Sequence, residues 1–447
     1  MEMQFLICMD FSQHFVETIL PAMRNALPLH WHRKRGTLGP ATVFFTLMRM
    51  VTGSTHGYRN VLDHLKRTVG DHFGWDDAPA ASSLSEARRK LSAEQCRAVF
   101  QAVRTACISL SHSPKVSYQG FQLIAVDGTK VALPPYKKVG EAFGYHFCGN
   151  QKPAPAPQAT LTALWDISNN TPFNWSLDPV RTSEQVPARA LLKDLGANHL
   201  LLSDRGFPSR KFLAQMNHCE ASFLARMKVG KQGCFQEIYA FAQDTTKLDE
   251  IVWLHENPQR VGEPTIQIRL LKHILPNEKV AVYATNLLNR RKYRRKALLD
   301  LYCYRWDIET AFKEMKVWHS LENLHARYAA GIHQEVAAIM TFMLLTAEME
   351  AQARGYHNLE PEAPRSDAPA EPEYRFNRKQ IAESIAYILA AGLEGPDAVR
   401  KEVDYCFRQY WRYKQKRRPG RSFKRAAKTA HAKYRRTQWN QDESESP

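Results

Sequence analysis

Two short apolar runs in this chain each end on an aspartate. LIAV at 123–126 is followed by Asp127, and HLLLS at 199–203 by Asp204. Runs of that length, bounded by turn residues, read as strands buried on both faces. An acid at the end of such a strand is desolvated and costly unless something compensates it. A turn cap is one compensation, and Asp127-Gly128 is a common turn signal. FQLIAVDGTKVALP therefore reads as a strand pattern broken by a DG turn. ATLTALWDI and PFNWSLDPV are further strands. SEQVPARALLKDL reads as a capped helix, HLLLSD as a strand, PSRKFLAQM as a helix and ASFLARMKVG as a strand. Three consecutive strands followed by alternating helix and strand predict a mixed α/β sheet.

The flanks differ in pattern. Residues 1–115 carry apolar positions three and four apart (VFFTLMRMV, RNVLDHLKRTV, AEQCRAVFQAVRTACISL) and predict an all-α module with basic surfaces. In ASSLSEARRKL, Ser83 or Ser85 is the expected helix cap. The α/β core has its first part at 116–228. A β-strand insertion is expected over 229–285, from CFQEIYAFA, EIVWLHE, TIQIRLLKHIL and KVAVYATNL. The core resumes over 286–350. Residues 351–375 are rich in proline and acids and predict a linker, and 376–447 a helical and basic C-terminal region.

Charge narrows the partners. The chain has 62 Lys+Arg against 45 Asp+Glu, a formal charge of +17, which favours a polyanion: nucleic acid or an anionic membrane. No run approaches the roughly 18 apolar residues a membrane helix needs, and the opening segment lacks the basic start of a signal peptide. Eight scattered cysteines with no CxxC indicate neither a zinc site nor a disulfide framework. They read as buried thiols in a reducing cytoplasm. His30-Trp31-His32 lacks zinc-ligand spacing.

A third carboxylate accompanies the two aspartates. In LYCYRWDIETAFKEMK, Tyr302, Arg305, Glu309 and Lys316 project from one side of a single expected helix at about 100° per residue. Alone, this is a solvated face braced by an Arg305–Glu309 pair. Asp307 and Glu314 lie about 200° and 140° from Glu309 by the same rule and face away. Two strand-end aspartates and a helix glutamate can hold two divalent ions about 3.5–4 Å apart. Hard oxygen ligands suit Mg²⁺. Arg305 can fork onto a phosphate, Lys316 can supply a point charge, and Tyr302 can bond or stack at a strand end. Asp166, after ATLTALW, is the substitute if Asp127 only caps a turn.

VDGTK, SDRGF, FLARMK and YATNL, followed by Y-x2-R-x3-E-x6-K at 302–316, resemble the DDE transposases of the IS4 family. The resemblance covers roughly residues 30–350. It implies an RNase H-like catalytic core interrupted by a β-strand insertion before the Glu helix. Asp127, Asp204 and Glu309 would be the catalytic, metal-binding triad, served by two Mg²⁺ ions for which Mn²⁺ substitutes. Tyr302, Arg305 and Lys316 would hold transposon-end DNA, with Arg226 a further contact. The activity implied is binding of terminal inverted repeats, strand cleavage and 3′-hydroxyl strand transfer. Double-stranded DNA would be the partner of a homodimer, with no membrane involved and a cytoplasmic setting.

Alternatives remain open at this point: a nuclease that does not join strands, a domesticated DNA-binding protein, or an RNA-associated basic protein. Trp253 in the insertion either stacks on a flipped base or is a buried strand residue. The segment Arg408–Arg436 has thirteen Lys/Arg and no acid, interleaved with Tyr410, Trp411, Tyr413, Phe423 and Tyr434. It reads as a nucleic-acid contact or a basic tail of nonspecific affinity.

Overall fold

The computed structural model describes residues 11–29, 38–51, 57–108, 118–148, 152–231, 235–255, 265–275, 279–357, 359 and 374–416. Eight strands form one sheet: β1 (Gln122–Ala132), β2 (Gln158–Asp166), β3 (Thr171–Pro179), β4 (His199–Ser203), β5 (Ser222–Met227), β6 (Asp249–His255), β7 (Thr265–Ile274) and β8 (Val280–Thr285). Their order is β3-β2-β1-β4-β5-β8-β7-β6. β1, β4 and β5 are parallel, and the remaining pairings are antiparallel. Parallel neighbours need a crossover. The helix Gln185–Leu191 leads from β3 to β4, and the helix Arg210–His218 from β4 to β5.

The helices are numbered in chain order. α1 (Pro40–Met50), α2 (Tyr58–Val69), α3 (Ala81–Lys90) and α4 (Ala93–Ile108) precede the sheet. α5 (Gln185–Leu191), α6 (Arg210–His218) and α7 (Gln236–Gln243) lie within it in sequence. α8 (Arg295–Tyr302), α9 (Trp306–Trp318), α10 (Ala329–Tyr356), α11 (Arg378–Glu394) and α12 (Pro396–Arg412) follow.

Alternation along β1 decides what each face of the sheet meets. Leu123 and Ala125 point into a core shared with α1–α4 and α8–α12. Ile124 and Val126 point into a second core under α5–α7. The N-terminal helices thus share a core with the helices that flank the site. α10 runs through its middle. By length and composition it is apolar enough to cross a membrane, but 83% of its most apolar stretch is buried inside the protein. Its low amphipathicity follows from burial all round.

Several expectations are corrected. The DG pair makes no turn: β1 runs through it, paired to β2 from Ile124↔Asp166 to Ala132↔Gln158. Cross-strand pairing overrides the local turn preference. EIYAFA is helical, not extended, because Ile238, Phe241 and Ala242 share one buried helix face. β6–β8 extend the main sheet, with β8 paired to β5. α3 begins at Ala81 with Ala80 as its cap and no side-chain cap bond, so Ser83 and Ser85 lie inside it. α10 continues to Tyr356, into the expected linker. Cys96, Cys107 and Cys406 are buried, but Cys219 is half-buried and Cys303 exposed. Tyr410 is buried and Trp411 and Tyr413 are exposed in and just after α12, while Phe423, Tyr434 and the His30–His32 pair lie outside the described residues.

One buried acid in α10 has a pH consequence. Burial pushes Glu348 up to about 7 against a hydrogen bond from Gln352. Its folded-state pKa lies above the unfolded value, so folding takes up a proton between them. Stability is favoured at low pH and falls as pH rises from about 4.5 to about 7, by about 3 kcal/mol. Denaturant unfolding at pH 5 and pH 8 should show that loss in the wild type and a smaller one in Glu348→Gln.

Candidate active site

Asp127 lies in mid-strand on β1, one residue beyond Val126 and so on the same face as Ala125. Asp204 follows the last residue of the neighbouring parallel strand β4. Adjacent parallel strands therefore bring both carboxylates to one end of one face. α9 packs against β1 and supplies Glu309. Asp127 Oδ1 accepts the Gly128 N–H at 2.8 Å, and Asp204 Oδ1 accepts the Arg205 N–H at 2.6 Å.

The guanidinium of Arg305 sits between two of the three acids. Its Nη1 donates to Asp127 Oδ2 at 3.3 Å and its Nη2 to Glu309 Oε1 at 2.7 Å. Arg305 is 5% exposed. Burial works against its charge, but Tyr302, Glu309, Asp127 and Asp204 more than offset this, so its pKa is raised. Burial pushes the Asp127 carboxyl up to about 6. The Gly128 N–H and Arg305 pull it down, while Glu309 and Asp204 push it further up. Burial is thus the main reason the Asp127 carboxyl is raised, and the two neighbouring acids add to it.

Tyr302 donates its hydroxyl to the Ser203 carbonyl at 3.2 Å, one residue before Asp204, and packs edge-on against Tyr283 with ring centroids 4.7 Å apart. Arg226 pairs in register with Tyr283 across β5 and β8, and its charge acts on Tyr283 and Tyr302. Tyr302→Phe should cost about 1 kcal/mol through the unpaired Ser203 carbonyl; chemical denaturation of the two proteins measures it. Lys316 stands apart. Its Nζ donates to the Lys130 carbonyl at 2.6 Å and lies 3.5 Å from Glu322, and burial lowers its pKa.

The structure brings together Asp127, Asp204, Glu309, Arg305, Tyr302 and Arg226, with Lys316 farther along α9. It corrects the single-helix expectation. α8 ends at Tyr302, a 3₁₀ turn spans Cys303–Arg305, and α9 begins at Trp306. Helical backbone angles continue through the turn, so the stripe still faces the sheet. Glu314 faces away as expected, ion-paired to Arg378 of α11 at 3.2 Å. Asp166 caps the β2–β3 turn, taking Gln122 Nε2 at 2.6 Å and Asn169 Nδ2 at 2.6 Å. Trp253 is not buried: it is 55% exposed on β6, the edge strand.

Two contributors escaped the sequence reading although YATNL contains them. Tyr283 braces Tyr302. Asn286 locks β8 to β5, accepting the Phe223 N–H at 2.9 Å and donating to the Ala221 carbonyl at 3.0 Å.

The donor set suits a hard divalent cation. Three carboxylates share a face and a cation already lies between two of them, its buried Nε lacking a hydrogen-bond partner among the described residues. As the side chains stand, no three His, Cys, Asp or Glu groups among the described residues converge on one ion position.

Asp127 and Asp204 on neighbouring strands and Glu309 on a helix thus share one face, with the Arg305 guanidinium between Asp127 and Glu309. Residues 118–345, just over half of the chain, match the model of the transposase DDE domain, and the chain belongs to that family. Members generally use divalent metal ions. The chain is 25% identical over 288 residues to "Transposase InsG for insertion sequence element IS4" of Escherichia coli (strain K12), covering 62% of this chain and 63% of that protein. It is 25% identical over 138 residues to "Putative transposase InsZ" of the same organism, covering 31% and 46%. The matches thus span under two thirds of either relative. These relatives bear out the resemblance to the IS4 family. Among solved structures, a cryo-EM piggyBac transposase synaptic complex with hairpin DNA aligns with a TM-score of 0.43 and 11% identity, over 94% of this chain and 87% of that one.

Proposed function

We propose that the protein is a DNA transposase of an insertion sequence. It binds the terminal inverted repeats of its element, cuts at their ends and joins the 3′-hydroxyl to target DNA. The observation that carries this is the shared face of Asp127, Asp204 and Glu309 around Arg305, in a chain of the transposase DDE domain family. The order β3-β2-β1-β4-β5, with β1, β4 and β5 parallel, supports an RNase H-like core.

Asp127, Asp204 and Glu309 would hold two Mg²⁺ ions, for which Mn²⁺ substitutes. The ions would activate the attacking hydroxyl and stabilise the leaving oxygen. Tyr302 holds the backbone at Ser203 and so positions Asp204. Arg305 is released from Asp127 and Glu309 to fork onto a phosphate. Arg226 adds positive charge beside Tyr302. Lys316 supplies a point charge farther along α9. The N-terminal helices bind the repeats, and two copies act on paired ends in the cytoplasm.

The test is a cutting and joining assay on duplex DNA carrying the gene's own flanks, with Mg²⁺, Mn²⁺ or EDTA. Cut and joined products with either metal, and none with EDTA, are expected. Cutting without joining would favour a nuclease. Tight binding to the flanks without cutting would favour a DNA-binding protein that has lost its chemistry.

A further inference from the structure

We infer that the cleft between α5 and α6 is a second DNA-binding surface, one that holds the phosphate backbone of target duplex without regard to sequence. The inference rests on the reading of the protein as a transposase. The cleft has a volume of about 640 Å³, and Arg189, Lys193, Lys211 and His218 line it together with Gln215 and Asn217. No carboxylate is among its lining residues. α5 and α6 cover the sheet face opposite to the one bearing Asp127, so this surface is separate from the carboxylate site.

Three observations favour phosphate over plain solvation. First, the lining gathers three cations with no acid among them. Arg189, Lys193 and Lys211 form no ion pair with an acid among the described residues. Like charges gathered in a concave surface repel, and a polyanion relieves that repulsion. Second, the acid beside Lys193 is turned away. Asp194 accepts a hydrogen bond from Asn174 on β3, and its charge acts on Arg97 and Arg104 of α4. Third, α5 starts beside the loop that follows Asp204. Gln185, at the start of α5, donates to the carbonyl of Gly206 at 2.8 Å. From Val186 to Lys193 the chain advances about 10 Å at 1.5 Å per residue. Duplex DNA presents about six phosphates over that length. Side chains of this kind reach phosphates and carry no base-reading pattern, which fits a duplex chosen without sequence preference.

The test compares wild type with Arg189→Gln/Lys193→Gln/Lys211→Gln, and with Lys193→Arg/Lys211→Arg, which keeps the charge. Circular dichroism confirms folding. Affinity for a roughly 30-base-pair duplex of arbitrary sequence is measured across salt concentrations. The triple variant should bind about tenfold more weakly, and the slope of log affinity against log salt should shallow by about two to three. In joining, its half-saturating target concentration should rise about tenfold, with the arginine variant near wild type. Unchanged affinity and slope would overturn the proposal. So would weakening confined to the element's own ends. A wild type that binds arbitrary duplex through these residues but never cuts its ends would sink the transposase reading and leave the cleft as a nonspecific duplex site only, overturning its target role.

Discussion

Glu309→Gln is expected to lower metal-dependent cutting and joining by about a thousandfold while leaving duplex affinity within about twofold. The amide is isosteric and still accepts a hydrogen bond from Arg305, so the turn between α8 and α9 should hold. The change removes one negative charge from the face shared with Asp127 and Asp204. Glu309 is 38% exposed, so losing its ion pair with Arg305 should cost under about 1 kcal/mol of stability. A second readout is independent of turnover. Mg²⁺ or Mn²⁺ should raise the wild-type melting temperature by binding only the folded state, and this shift should shrink in the variant. Equal activity and equal shifts in both proteins would remove Glu309 from the site.

Arg88→Met should destabilise the fold by about 3–5 kcal/mol. Arg88 and Glu335 are each 1% exposed and lie 2.8 Å apart. Arg88 Nε also donates to Gln334 Oε1 at 3.2 Å, Nη2 to the Gly331 carbonyl at 3.2 Å, and Nη1 to the Tyr58 hydroxyl. Gln334 Nε2 returns bonds to the carbonyls of Arg88 and Leu91. Glu335 Oε2 accepts the His325 N–H at 2.7 Å. Burial opposes both charges, yet each partner holds the other ionised: Arg88 is raised and Glu335 lowered. Truncating Arg88 leaves Glu335 buried without its guanidinium partner. Arg88→Met/Glu335→Met removes both charges and should recover part of the loss. Urea unfolding of the two variants against wild type decides it. A single variant as stable as wild type would show the network contributes little.

The sequence made the central sheet and its acids legible because both depend on short-range pattern. LIAV and HLLLS are continuous apolar runs; Asp204 follows the end of its strand, whereas Asp127 sits in the middle of β1. The Arg305–Glu309 pair was also readable, since four residues bring side chains together on a helix. What failed was decided by partners distant in sequence. The Asp127-Gly128 turn preference lost to nine register pairs with β2. EIYAFA supports both a strand and a helix, and packing beneath the sheet chose the helix. The contact between Arg305 and Asp127 spans 178 positions, so no local rule reaches it. Trp253 is exposed while Leu254 beside it on β6 is buried, and which face of an edge strand is covered is invisible to local pattern.

The core that joins α1–α4 to α10 and α11 has an evolutionary consequence. Proteins assembled as beads on a string can trade one bead for another through recombination within linkers. Here a cut near residue 110 would expose the apolar sides of α4 and α10 and strand Glu335 without Arg88. Swapping the front of this gene with that of a distant relative should yield insoluble chimeras. Change in the front helices would therefore proceed by point substitution on their outward surfaces, in place.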